Sequence, residues 1–226
     1  MYLAVAERHS LAAPTLGSEP SGEAFATMIN LSGRRRFTSQ RLVLYAVLAA
    51  GQTPSALAVA KEALQLFSDA HASLLIGGKG SQGYLSPALH AAYFGAAQGN
   101  DQIMAFIALA ERVLHAIEAG WRFQIPQLLD ELVQSTTPLL VTLNHLTSLY
   151  EQEARAHAKD MADQLHGALD EIRSISKQAQ VVAMNARIVA ARAGAAGREF
   201  AVVATELISI TTDIETILQT AIVKPV

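Results

Sequence analysis

Residues 172–207 read IRSISKQAQVVAMNARIVAARAGAAGREFAVVATEL. In and around this run, Met161, Leu165, Ala168, Ile172, Ile175, Ala179, Val182, Ala186, Val189 and Ala193 step by alternating fours and threes. That spacing lines them along one stripe of a helix and is the pattern of a coiled-coil seam. Gly194-Ala195-Ala196-Gly197 interrupts it, and Phe200, Val203, Leu207, Ile210, Ile214, Ile217 and Ala221 resume it. Two seams joined by a glycine-bounded turn predict an antiparallel helical hairpin with its tip at 194–197. Two helices cover only part of such a seam, so a homodimer closing a four-helix bundle is expected.

Working towards the N-terminus, Leu132, Thr136, Leu139, Leu143, Leu146 and Tyr150 keep the same alternation, while steps at Ala154 and His157 read as stutters. One continuous helix is therefore expected over about 126–193, roughly 100 Å long at 1.5 Å per residue. Before it lie helices from Ser21 to Ala50, Pro54 to Ile76, a short piece Pro87 to Ala97, and Asp101 to Ala119. Phe25, Ile29, Phe37, Val43 or Leu44, and Val47 read as the apolar face of the first. Leu57, Ala60, Leu64 and Phe67 read as that of the second. Gly77–Gly83 is expected to be a plain connector, and Trp121 and Phe123 to pack the bundle end beside Pro126. The expected class is all-α, an antiparallel four-helix bundle whose last helix extends into an antiparallel coiled-coil hairpin. The expected domains are an N-terminal arm (1–20), a sensor bundle (21–155) and the hairpin (156–223).

Composition excludes several functions. The chain of 226 residues has no cysteine, which removes disulfide scaffolds, thiolate metal sites and thiol nucleophiles. A net charge of -3 gives no global positive field for nucleic acid. The longest apolar stretch, Leu42 to Ala50, is far short of a membrane span of roughly 20 residues and is cut by Gly51 to Pro54. A cytoplasmic protein without membrane insertion is expected. The seven histidines form no metal-binding spacing, the Gly77–Gly83 run lacks phosphate-loop order, and no acid pair or nucleophile constellation stands out. The expectation is no enzyme, no cofactor and no metal.

The run from Ile175 through Asn185, Arg192, Gly194, Gly197, Phe200 and Glu206 closely resembles the signalling tip of methyl-accepting chemotaxis proteins. The resemblance covers about 172–212. It implies a tip that binds a histidine kinase and its coupling adaptor, with Asn185, Arg192, Gly194, Gly197, Phe200 and Glu206 at the contact. The sequence departs from that family at Val189, where Glu is usual and belongs to a trimer contact, and at Arg187. The long helices that carry methylatable Glu and Gln pairs are absent, so methylation-based adaptation is not expected of this chain.

A second run, Met28-Ile-Asn30-Leu-Ser32-Gly33-Arg34-Arg35-Arg36-Phe37-Thr-Ser-Gln-Arg41-Leu42, resembles the opening motif of PilJ-type sensor domains and the signature box of nitrate/nitrite sensors. It departs at Phe37, where Met is usual, and at Thr38. The resemblance implies a dimeric four-helix bundle in which Arg36 from both subunits binds the ligand, nitrate or nitrite, across a two-fold axis. Independently of that, a guanidinium presents planar donors suited to a small planar anion. Asn30, Ser32, Gly33, Arg34 and Arg41 share the motif and complete the expected anion site.

The reading is thus a chemoreceptor-like transducer that senses a small anion and signals through the hairpin. Its competitors are a nitrate-responsive regulator outside chemotaxis, and a structural dimerisation module with no ligand.

Overall fold

In a computed structural model, residues 20–77 and 84–223 are described, with side chains to Thr220. The expected N-terminal arm, apart from Pro20, and most of the Gly77–Gly83 connector lie outside the described residues. All regular structure among them is helical: α1 (Gly22–Ala50), α2 (Ala56–Ile76), α3 (Pro87–Phe94), α4 (Gly99–Ala119), α5 (Ile125–Arg192) and α6 (Arg198–Val223), with a 3-10 turn at Gly194–Gly197. The expected all-α class is borne out. The chain divides after His157 into two compact units.

Local chemistry sets the helix ends. Ser21 caps α1, its Oγ accepting the Ala24 N–H at 3.2 Å, and Ser86 caps α3 in the same way ahead of Pro87. The sequence placed Pro54 in the first turn of the second helix. Instead Ser55 adopts a left-handed conformation and α2 starts after it.

The first unit is an antiparallel bundle of α1, α2, α4 and the opening part of α5, with α3 laid against it. Pairings fix its register. Arg41 meets Glu62, Lys61 meets Glu118, Thr142 meets Gln102, and the ring of Phe25 lies 5.4 Å from that of His157. The core contains Phe67, Leu74, Leu89, Tyr93, Ile103, Phe106 and Val113, with Leu132, Leu139, Leu143, Leu146 and Tyr150 from α5. The expected α5 stripe is therefore the inward one.

The expected face of α1 is inward only in part: Phe25 is buried, and Ile29 and Val43 are half-buried against the core. Phe37, Leu44 and Val47 are exposed, and the residues turned inward are Phe25, Met28, Ser32, Arg35, Ser39, Leu42, Ala46 and Ala49. With Thr38 also buried beside Ser39, these positions alternate by three and four, so α1 does follow a heptad seam, with small or polar side chains in five of the eight. Trp121 sets its edge against His115 but stays half exposed, and Phe123 is fully exposed, so that pair does not seal the bundle end.

The second unit is the hairpin. Ser176 Oγ donates to the Thr211 carbonyl at 3.1 Å, and Gly197 lies against the Ala190 carbonyl. Both pairs are symmetric about the bond between Ala193 and Gly194, and so are the buried pair Ala183 and Ala204. Near the tip, contact between the two helices thus falls on a line of small residues every seven positions, which lets the backbones approach closely, and the line continues to the larger, buried Leu218. The larger seam residues expected to meet there, including Ile172, Val182, Val189, Phe200, Val203 and Ile210, are exposed along the hairpin.

Candidate functional site

Arg35 is the largest fully buried side chain in the bundle, with none of its surface exposed. Its Nη1 donates to His71 Nδ1 at 3.2 Å and its Nη2 to Ser32 Oγ at 3.1 Å. Its guanidinium carbon stands 5.8 Å from the centre of the Tyr93 ring, within cation–π range. Nε is buried and has no hydrogen-bond partner. Among the described residues no carboxylate lies within ion-pair distance of this cation.

The proton directions around Arg35 follow from its being donor-only. His71 Nδ1 must accept, so its proton sits on Nε2 and is donated to Asn100 Oδ1 at 3.2 Å. Burial, and next the Arg35 charge, lower the His71 pKa to about 4, while the bond to Asn100 acts in the opposite sense. His71 is therefore neutral at neutral pH. Thr147 Oγ1 donates to the Leu143 carbonyl, so it accepts from Ser32 at 3.0 Å, and Ser32 accepts from Arg35. One network thus joins α1 (Ser32, Arg35), α2 (His71), α3 (Tyr93), α4 (Asn100) and α5 (Thr147).

Beside it, the hydroxyls of Tyr93 and Tyr150 pair at 3.3 Å. Burial, reinforced by Tyr93, raises the Tyr150 pKa and keeps it protonated. Glu153 takes a hydrogen bond from Ser86 and leaves Oε2 buried without a partner; burial raises its pKa, against the pull of Ser86.

The residues of the expected anion site are divided by the helix. Arg36 is half-buried and donates from Nη1 to Asn144 Oδ1 of α5 at 3.2 Å. Gly33 lies close by, with the space beside its Cα bounded by the Arg36 guanidinium. Asn30 and Arg34 are exposed, and Arg41 is engaged with Glu62 and the Tyr45 ring. Ser32 faces the interior with Arg35, away from the exposed Asn30. The structure therefore brings Arg36 and Gly33 together and sends Ser32 elsewhere. The interior group of Arg35, His71, Asn100 and Thr147 was missed by the sequence reading. Its trace there is the line Met28, Arg35, Leu42, Ala49, spaced by seven, in which Arg35 holds a core position.

At the tip, Asn185, Arg192, Phe200 and Glu206 are exposed, as a partner surface requires. Gly194 has a positive φ of 60°, and Gly197 is buried where any side chain would strike the Ala190 carbonyl. Those two glycines are what the tight reversal needs.

Comparison with known proteins bears on the second half of the chain. Residues 127–216 match the family model of the methyl-accepting chemotaxis protein (MCP) signalling domain. The methyl-accepting chemotaxis protein McpK of Pseudomonas aeruginosa is 51% identical over 55 residues, 24% of this chain and 8% of that protein. TlpQ of the same organism is 40% identical over 80 residues, 35% of this chain and 10% of its own length. HlyB of Vibrio cholerae is 56% identical over 50 residues, 21% of this chain and 9% of its own length. The chain thus spans about a tenth of the length of these relatives. No solved structure matches. No helix among the described residues is long and apolar enough to cross a membrane. The expected resemblance of the hairpin is borne out: the segment holding most of α5 and α6 is similar to a chemoreceptor signalling domain.

Proposed function

We propose that the chain is a chemoreceptor-like signal transducer. Its first unit senses a small anion, nitrate or nitrite, at Arg36, and its hairpin relays the bound state to a chemotaxis-type histidine kinase and coupling adaptor. The observation that carries this reading is the hydrogen bond from Arg36 to Asn144. Asn144 belongs to α5, the same continuous helix that runs on to the tip at Arg192. An anion that takes the Arg36 guanidinium competes for that donor, and so acts directly on the helix that carries the output.

The exposed line of Phe37, Leu44 and Val47 on α1, beside Gly33, supports a homodimer closing over this face. Two Arg36 side chains brought near a two-fold axis repel each other until an anion lies between them. Ligand then favours one crossing of the paired α1 helices, and this differential affinity is what signalling requires. The match of residues 127–216 to the signalling domain supports the output half.

The output is tested by capture of a chemotaxis kinase and adaptor on the immobilised full chain, with an Asn185→Ala/Arg192→Ala variant as control. Capture by the parent and loss in the variant is the expected result. Equal retention by both, or none by either, overturns the tip assignment and favours a regulator outside chemotaxis.

A further inference from the structure

We propose that Arg35 is the centre of a second anion site, inside the bundle and separate from Arg36, that takes a small monovalent anion of the size of a halide or nitrate. A guanidinium is always protonated, and this one is wholly buried. Its two hydrogen-bond partners, Ser32 and His71, are both neutral, and the Tyr93 ring supplies only a quadrupole. A buried cation with neutral partners alone is a costly arrangement, which a counter-charge relieves.

A guanidinium carries five N–H groups, and two of these are used in the bonds to His71 and Ser32. Nε–H is buried and unpartnered. The acceptors bonded within this network are engaged: Ser32 Oγ and His71 Nδ1 with Arg35, and Asn100 Oδ1 with His71. Glu153, whose charge reaches the same Tyr150, is held by Ser86 and makes no ion pair with Arg35, although its Oε2 is buried without a partner. The surplus around Arg35 is of donors and positive charge. A small anion is the chemistry that matches both, and a monovalent one balances the single charge of the guanidinium.

Arg35 and its partners reach α1, α2, α3, α4 and α5 within two bonded steps. An anion at this node acts on every helix of the first unit, so occupancy here sets the stiffness of the bundle in which Arg36 works.

The test uses the full chain in a gluconate buffer at constant ionic strength, titrated with sodium chloride, nitrite or nitrate. The readout is the Arg Nε–H resonances in a proton–nitrogen spectrum, together with thermal melting. The Arg35 resonance is expected to move saturably with at least one of these anions, both in the parent and in Arg36→Gln. Melting temperature should rise saturably in Arg36→Gln and fail to do so in Arg35→Met, whose buried methionine preserves the fold. The proposal is overturned if the Arg35 resonance stays fixed under all three salts, or if Arg35→Met keeps the saturable rise. Either result leaves the Arg36 reading standing, since that reading fails only when Arg36→Gln binds as the parent does.

Discussion

Arg35 and His71 form a hydrogen-bonded pair across the α1–α2 packing, Nη1 to Nδ1 at 3.2 Å, in which the arginine holds the charge and the histidine stays neutral. The arrangement excludes a second proton: a charged imidazole would have no acceptor to offer Arg35 and would repel it.

Stability should therefore depend on pH through His71. Its pKa is lowered from 6.5 to about 4 in the folded chain. The unfolded chain binds the proton more readily, so the His71 contribution is fully present above about pH 6.5. It is lost as pH falls towards 4 and is constant below that, a decline of about 3 kcal/mol at 1.36 kcal/mol per unit. Urea melts between pH 7 and pH 4 check this, with His71→Asn expected to flatten much of the slope. An unchanged slope in that variant would contradict the assignment.

Removing the two partners of this pair should have opposite effects. Arg35→Met replaces a buried cation by an apolar side chain of similar reach and is expected to leave stability equal or raise it by about 1–3 kcal/mol in gluconate buffer. His71→Ala strands Arg35 Nη1 and Asn100 and opens a cavity, with an expected loss of about 3 kcal/mol. Denaturant titrations of the two variants distinguish this from a simple ranking by volume.

The two tip glycines fail for different reasons when replaced. Gly197→Ala drives a methyl into the Ala190 carbonyl and forces α6 away from α5, at an expected cost of about 2–3 kcal/mol. Gly194→Ala has open space but a φ of 60°, so about 1 kcal/mol is expected. Hydrogen exchange around residues 183–204 should accelerate markedly in the first and slightly in the second.

The exposed seam of the hairpin should hold a second copy. Val182→Asp with Val203→Asp removes roughly 2 kcal/mol of apolar burial per site. It should weaken self-association on the order of a hundredfold or more in sedimentation equilibrium. A parent chain that sediments as a monomer at high concentration would refute the dimer.

The parts of the fold legible in the sequence were those where the seam is built from large apolar residues. Leu132 to Tyr150 on α5 announced its inward face because every position is bulky or carries a methyl. The glycines at 194 and 197 announced the reversal because few other residues fit there. Legibility failed where the seam is polar or small. On α1 the interior positions hold Ser32, Arg35 and Ser39, so the expected face caught Phe25 but included the exposed Phe37 and Val47. On the hairpin, Ser176, Ala183 and Ala190 make the contact, while the larger residues remain for a partner. The site was split in the same way. Arg36 and Gly33 are neighbours on the helix surface and could be read from spacing. The group around Arg35 draws on residues up to 115 positions apart, as in the Ser32–Thr147 pair, which one chain's local pattern does not encode.

The most direct test of the account is calorimetric titration of the full chain with nitrate, for the parent and for Arg36→Ala, with chloride as a comparison. Saturable nitrate binding is predicted for the parent, with the Arg36 component lost in Arg36→Ala so that at most binding at Arg35 remains. Nitrate binding that is the same in both chains would contradict the account.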